Sequence, residues 1–118
     1  MTEPSRKFRV ADFQQPSEGV PIRSVITQSD HCAIICWTVI PGQRILPHIH
    51  PNGQDTWTVL SGSGEYQIDA TGTTVPVSTG DVLVARAGDV HGVLNTGSEN
   101  FVFVSVVAPI EAGFELLA

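Results

Sequence analysis

Three of the four histidines in this 118-residue chain stand at spacings that suit a metal site. His48 and His50 are two residues apart. On a β-strand, residues two apart face the same side, with Cα atoms roughly 6.5–7 Å from each other. Two imidazoles placed in this way can converge on one ion, and neutral imidazole is a good ligand for Zn, Fe, Ni or Cu. Taken alone, the His-x-His pair is weak evidence.

Two further residues strengthen the prediction of a metal site. Asp55 follows a short turn at residues 51–53 and begins the next predicted strand, where an antiparallel neighbour can bring a carboxylate beside the histidines. His91 follows Gly88 in a second turn–strand unit. Three nitrogens and one oxygen on convergent strands predict a site for one divalent transition metal (Fe, Mn, Ni, Zn or Cu), with positions open for water or substrate.

The elements that must position these residues are predicted to be short β-strands. Apolar residues alternate with polar ones or form short β-branched runs, and Gly, Pro, Asn, Asp and Ser interrupt them every few residues, as in sandwiches and barrels. About ten strands in so short a chain must close or nearly close, because long free edges aggregate. The predicted strands are Val20–Thr27, His31–Ile40, Arg44–His50, Asp55–Ser61, Glu65–Asp69, Thr73–Val77, Asp81–Ala85, Val90–Asn95 and Phe101–Ala108.

The sequence predicts one all-β domain with little or no helix. Residues 1–16 are expected to be a lead-in that is partly ordered at best, and residues 17–110 to form the barrel. Residues 111–118 are expected to be a tail with one helical turn around Phe114–Leu117.

The spacing around the first histidine pair resembles the first motif of the cupin family, Gly-x5-His-x-His-x3,4-Glu-x6-Gly. Gly42, His48, His50 and Gly62 fall at its fixed positions, and Asp55 stands at the position of the glutamate. This resemblance implies a double-stranded β-helix, or jelly-roll barrel. It also implies that His48, His50 and Asp55 take part in holding one metal ion.

The second cupin motif, Gly-x5-Pro-x-Gly-x2-His-x3-Asn, is also similar to a segment of this chain. Gly80, Gly88, His91 and Asn95 match it, and Arg86 stands where proline is usual. This substitution is expected to loosen the turn before His91. The Arg86 side chain is interpreted either as an ordinary surface charge or as an attraction for an anionic substrate at the mouth of the barrel.

Asp55 departs from the family pattern, because it is shorter than glutamate by roughly 1.5 Å. The metal would then lie closer to that strand, or be reached through a water, or be held by the three histidines alone. Gln54 is the alternative to Asp55, since it fits the looser form of the motif. The interval to Gly62 and the negative charge of a carboxylate favour Asp55.

Strand parity predicts which residues face a substrate pocket. If Asp55 points inward, Trp57 and Val59 point inward as well, and Val93 and Asn95 share the inner face with His91. Small barrels of this kind hold one small ligand. The predicted pocket is therefore mostly apolar, with Trp57 either as its wall or as ordinary core.

Charge and cysteine content exclude several functions. The net charge is −6 and the only basic cluster is Arg6, Lys7 and Arg9, which argues against nucleic acid as a partner. Apolar runs are too short for a membrane helix and no secretory signal is evident, so we expect a cytoplasmic protein with no membrane partner. Cys32 and Cys36, about 13 Å apart on a strand, are expected to be unpaired. His31 matches no motif and is expected at the surface.

The resemblance to cupins implies a metal-dependent enzyme that acts on a small molecule. A dioxygenase is the first choice, with isomerase, epimerase and decarboxylase as alternatives, and the catalytic residues beyond the metal ligands are unknown. A non-catalytic cupin that binds or senses a small molecule is the second hypothesis. A homodimer is expected, because related barrels pair through an N-terminal strand and pairing would cover the edge at Val20–Thr27.

Overall fold

A computed structural model describes residues 4–117 and contains two five-stranded antiparallel sheets that face each other. A short 3-10 turn over Val10–Phe13 precedes them. The strands are β1 (Ser24–Gln28), β2 (Ala33–Val39), β3 (Arg44–Ile49), β4 (Gln54–Ser61), β5 (Ser63–Gln67), β6 (Thr74–Ser78), β7 (Val82–Ala85), β8 (His91–Leu94), β9 (Phe101–Ala108) and β10 (Glu115–Leu116).

The order of strands in the sheets is that of a double-stranded β-helix. One sheet runs β1-β2-β9-β4-β7 and the other β10-β3-β8-β5-β6, so the chain crosses repeatedly from sheet to sheet. The predicted all-β barrel is confirmed, and each of the nine predicted strands overlaps a strand of the structure. The described residues contain no helix with the length and hydropathy that crossing a bilayer requires.

Strand β4 shows why the sequence alternates as it does. Asp55, Trp57 and Val59 are buried, whereas the residues between them face outward and are more exposed. The Trp57 ring stacks on Phe103 of β9, with centroids 3.9 Å apart. The expected inward direction of Trp57 and Val59 is therefore correct. The core built on them also contains Val39, Tyr66, Val77, Val93 and Phe101.

Gly62 allows the chain to pass from β4 in one sheet to β5 in the other. Its φ is +85°, and a Cβ added there would lie 2.5 Å from the carbonyl oxygen of Asn100. Only glycine combines this backbone conformation with so close an approach. The glycine that follows β4 in the first motif is thus required by the crossover.

The expectation of a helical turn around Phe114–Leu117 is wrong. Glu115 and Leu116 form β10, which pairs with β3 opposite Ile49 and His48, and the N–H of Leu117 donates to the carbonyl of Pro47. The free edge of β3 offers unpaired backbone groups, and pairing with this edge satisfies more of them than one isolated helical turn would. Residues 1–3 of the predicted lead-in and residue 118 of the predicted tail lie outside the described residues.

The expectations about the two cysteines and His31 agree with the structure. Cys32 and Cys36 are free thiols, and burial raises the pKa of the Cys36 thiol. His31 is exposed at the turn before β2.

Candidate metal centre

The structure brings His48, His50, Asp55 and His91 together in one buried cluster. One ligand atom from each lies within 4.8 Å of those of the others. His48 of β3 and His91 of β8 are cross-strand partners, and their ring centroids are 4.1 Å apart. Asp55 comes from β4 in the opposite sheet. The cluster therefore joins the two sheets at their facing surfaces.

A bulge in β3 sets the positions of the first two histidines. The pairing of β3 with β8 shifts between Ile45 and His48, and Pro47 lies within the shift. Proline has no N–H to donate to a neighbouring strand, and bulges bend a strand and redirect its side chains. Gly92 faces this bulge, where an added Cβ would lie 3.1 Å from Pro47 Cα. The residue after His91 is thus a glycine because β8 passes so close to the bulge.

Each histidine ring is oriented by a backbone carbonyl. Nδ1 contacts the carbonyl of Leu46 at 2.7 Å in His48, of Gly113 at 2.6 Å in His50, and of Asp89 at 3.1 Å in His91. A carbonyl only accepts, so Nδ1 carries the proton in all three rings. In a neutral imidazole the lone pair then lies on Nε2, which is the arrangement that metal-binding histidines use.

Asp55 is also held from both sides. The Ser105 hydroxyl of β9 donates to Oδ1 at 2.5 Å. Oδ2 lies 3.0 Å from Nε2 of His91 and 3.3 Å from Nε2 of His50. Ser105 therefore occupies one carboxylate oxygen and leaves the other directed at the histidines.

These contacts fit a cation. With Nδ1 protonated, neutral His50 and His91 each aim a lone pair at a carboxylate oxygen that is itself an acceptor. Two acceptors at about 3 Å repel each other unless a proton or a metal ion lies between them, and His50 Nε2 is buried without any other hydrogen-bond partner. Three imidazoles and one carboxylate are the donor set of many divalent transition-metal sites. The buried cluster is consistent with one metal ion.

The protonation of the cluster reflects burial and mutual contact. Burial, and then the charge of His91, lower the pKa of His48 to about 4. Burial also lowers the pKa of His50, but its hydrogen bonds with Asp55 and the Gly113 carbonyl outweigh this and raise it above the ordinary value. Burial raises the pKa of Asp55, yet the hydrogen bonds from His50, His91 and Ser105 reverse the effect and lower it well below its usual range. Asp55 is therefore a carboxylate at neutral pH.

Gln54, the sequence alternative to Asp55, lies outside this cluster. It is exposed, and its side-chain amide donates to the hydroxyl of Thr56 at 3.0 Å. Neighbouring residues on a strand point to opposite faces, so Gln54 faces away while Asp55 faces the histidines.

A cavity of about 630 Å³ opens beside the cluster and runs to the surface. Its inner part includes His48, His50, Asp55 and Trp57, and its outer part includes exposed side chains such as Leu46 and Phe114. Most of its wall is apolar, as expected. The further wall residues are Val20, Pro21, Arg23, Ala33, Ile35, Trp37, Arg44, Ile45, Ser105, Val107, Ile110, Ala112, Gly113 and Leu116.

The predicted pocket residues divide into two groups. Trp57 lines the cavity, whereas Val59, Val93 and Asn95 are buried but lie outside its wall. The side-chain amide of Asn95 donates to the carbonyls of Val39 and Glu99 and ties the end of β2 to the loop before β9. Strand parity therefore predicted which side chains point into the barrel. It does not distinguish side chains that line the cavity from those that pack in the core.

Arg86 does not loosen the turn before His91. Its N–H, which a proline would lack, donates to the Asp89 carboxylate, and the N–H of Asp89 donates back to the Arg86 carbonyl. Gly88, at φ +80°, lets the turn reverse and donates its own N–H to the His50 carbonyl. The Arg86 side chain is exposed and does not line the cavity.

Sequence reasoning missed several residues of the site. Ser105 was detectable as the one polar residue within the apolar run of β9. Gly113 and Phe114 gave no signal, because the tail reaches the site only through the pairing of β10 with β3; the Phe114 ring centroid lies 5.0 Å from that of His48. Arg23 and Arg44 both line the cavity, and no motif marks them.

Comparison with known proteins agrees with this architecture. The model of the cupin domain matches residues 35–107, which is more than half of the chain. The chain belongs to the cupin family. The matched segment of this cupin includes all four residues of the buried cluster.

Two solved structures illustrate what this cupin is similar to. A crystal structure of an uncharacterized conserved protein with a double-stranded β-helix domain from Klebsiella pneumoniae has 47% identity and a TM-score of 0.94, covering 98% of this chain and 99% of that one. A structure from Thermus thermophilus has 19% identity and a TM-score of 0.82, covering 90% of this chain and 99% of that one, and supports the fold alone.

One curated relative of this cupin carries a functional name. The "Oxalate-binding protein" of Thermotoga maritima is 30% identical over 67 residues, which cover 57% of this chain and 54% of that protein. The chain thus spans about half the length of the curated relative that it matches.

Proposed function

We propose that this cupin is a metal-dependent enzyme that acts on a small molecule in the cavity beside the cluster. One divalent transition metal (Fe, Mn, Ni, Zn or Cu) would be held by Nε2 of His48, His50 and His91 and by Oδ2 of Asp55. The observation that carries the proposal is the orientation of the rings. Their Nδ1 atoms contact backbone carbonyls, which leaves the Nε2 lone pairs free. Those of His50 and His91 face the one carboxylate oxygen that Ser105 leaves free, and His48 places a ring nitrogen within 4.8 Å of the same cluster.

The inner end of the cavity is the part where a substrate would meet the cluster. The cluster is buried at the inner end, so a substrate reaching it leaves bulk water and contacts Trp57. When bound, the ion would polarise a substrate oxygen or, if it is redox-active, take part in reactions of dioxygen. A dioxygenase is the first choice because dioxygenases are frequent among small cupins, and an isomerase, epimerase or decarboxylase is the alternative for an ion that acts only as a Lewis acid.

Metal content and turnover test the proposal together. Protein purified without added metal is analysed by element-specific mass spectrometry, beside His48→Ala and the control His31→Ala. We expect close to one ion per chain in the wild type and in His31→Ala, and loss of most of it in His48→Ala. Wild-type metal content in His48→Ala would refute the metal site. Oxygen uptake or product formation with a substrate panel should be lost in the same variant.

A non-catalytic small-molecule binding protein is the second candidate, and the name of the Thermotoga maritima relative favours it. It would use the same cluster and cavity, with a small carboxylate such as oxalate as ligand. Saturable binding of a ligand by the metal-loaded protein, without product after prolonged incubation across the panel, would support this candidate over an enzyme.

We also propose that the protein forms a homodimer through the β1 edge. Among residues 4–117, β1 pairs only with β2, Val25 on β1 is exposed, and Val20 in the segment before β1 is exposed as well. Covering the edge would satisfy its backbone groups and remove apolar surface from water. Light scattering after size exclusion should give twice the chain mass of 12.6 kDa, and a stable monomer would refute the dimer.

A further inference from the structure

The cavity wall concentrates positive charge. Arg23 and Arg44 are two of the six basic residues in the chain, and both line the cavity. Of the acidic residues within the described range 4–117, only Asp55 lines it, at the buried end. The wall therefore carries a net positive charge outside the cluster, although the chain as a whole carries −6.

The two arginines come from opposite sheets and have no acidic partner. Arg23 directly precedes β1 of one sheet, and Arg44 begins β3 of the other. Both are exposed, and within residues 4–117 neither forms a salt bridge. A guanidinium offers a planar fork of donors that matches a carboxylate or phosphate.

Most of the cavity wall other than this exposed arginine pair, the charged rim, is apolar. Ile35, Trp37 and Val107 from the sheet that contains β2 and β9 lie on one side, and Phe114 lies beside β3. Cavities of roughly 300–1,000 Å³ hold drug-sized ligands, and a water takes about 30 Å³. Oxalate has six heavy atoms and would leave most of the 630 Å³ unfilled.

We infer that Arg23 and Arg44 are specificity-determining residues that select an amphipathic anion, whose carboxylate meets the rim while its apolar body packs against the apolar part of the cavity wall. The inference rests on the proposed use of this cavity as the substrate site. It narrows the substrate class to organic acids with an aromatic or aliphatic body, and it disfavours both neutral molecules and very small acids such as oxalate.

Matched ligands and matched variants test this inference. The probes are 3-phenylpropanoate, its neutral analogue 3-phenylpropanamide, and oxalate. Both tryptophans of the chain, Trp37 and Trp57, line the cavity, so quenching of intrinsic fluorescence reports binding directly. The variants are Arg23→Gln, Arg44→Gln and the double variant. Arg86→Gln removes an exposed arginine outside the cavity and serves as the control.

The expected result is a preference for the acid that depends on the rim. Wild-type protein should bind the acid roughly 10-fold more tightly than the amide, because two solvent-exposed charge contacts each contribute up to about a 5-fold effect. Each single variant should lose about 3-fold in binding of the acid with little change for the amide, and the double variant should lose the preference. Higher ionic strength should weaken binding of the acid only.

Three results would overturn the inference: equal affinity for acid and amide in the wild type, no saturable binding of the acid, or an equal loss in Arg86→Gln. Each titration is run with zinc-loaded protein and again after removal of metal with a chelator. The part of the preference that depends on the arginines should persist in both forms, and the metal-free protein should bind 3-phenylpropanoate more tightly than oxalate. If the protein binds no metal but keeps this preference, the metal-dependent function fails while the inference stands.

Discussion

Replacing Asp55 by asparagine removes the charge of the cluster and keeps its shape. Oδ2 faces Nε2 of His91 at 3.0 Å and of His50 at 3.3 Å inside a buried site. Removing one partner of a buried charged pair costs roughly 3–5 kcal/mol. The amide oxygen of asparagine can still accept from Ser105 and face the ion, so we take the lower value, about 3 kcal/mol. At 1.4 kcal/mol per tenfold change, zinc affinity should fall roughly 100-fold.

A competition titration of zinc against a chromogenic chelator at neutral pH measures this change. Gln54→Ala is the matched control, because Gln54 neighbours Asp55 but faces solvent, and its affinity should stay within about 2-fold of the wild type. Far-UV circular dichroism of the metal-free variants establishes that both fold. An Asp55→Asn affinity within roughly 3-fold of the wild type would refute ligation by Asp55, and a larger loss in Gln54→Ala would transfer that role to Gln54.

Three further predictions concern the surroundings of the cluster. The pKa of His48 is about 4 in the native protein and 6.5 when unfolded, so between these values the unfolded chain binds the extra proton. The free energy of unfolding of metal-free protein should therefore fall by up to about 3 kcal/mol as the pH drops from 6.5 to 4, measured by urea unfolding with a chelator; an unchanged slope in His48→Leu would contradict this. Ser105→Ala should weaken zinc binding roughly 10-fold in the same titration, with Ser98→Ala as an exposed control that should not respond. Gly62→Ala should lower the free energy of unfolding by about 2 kcal/mol, or Tm by roughly 8 °C, because a positive φ combines with a close approach to Asn100. Gly42 has a φ of +84° and open space around it, so Gly42→Ala should cost about half as much. Equal losses of stability in the two variants would show that the close approach to Asn100 contributes no energy.

Local sequence rules predicted the fold because most of its signals act over a few residues. Alternation in β4 fixed which side chains turn inward, and glycines with positive φ marked the turns at Gly62 and Gly88. The His-x-His pair needed only the geometry of one strand. The spacing of the two motifs then placed Asp55 and His91 with that pair, and the structure brings all four side chains together.

What the sequence did not predict depends on contacts between distant segments. The Gly113 carbonyl contacts the His50 ring, 63 residues away in sequence, because β10 pairs with the edge of β3. A two-residue strand is too short to show a periodicity from which this pairing could be predicted. The cavity takes up only part of the space enclosed by the inward-facing side chains, so strand parity could not separate Trp57, which lines it, from Val93, which packs in the core. The arginines at the rim belong to opposite sheets and become neighbours of one cavity only in the folded chain.

The three contacts that orient the histidine rings have a consequence for how the family can vary. All three acceptors are main-chain oxygens, of Leu46, Asp89 and Gly113, and every amino acid supplies such an oxygen. Alanine scanning at Leu46 or Asp89 removes a side chain and leaves the acceptor in place. At Leu46, selection on this contact therefore acts on the path of the backbone, and we expect a homologue with another residue there to keep the same aim of its imidazole. Asp89 and Gly113 carry further constraints, because the Asp89 carboxylate accepts from the Arg86 N–H and Gly113 has a φ of +78°.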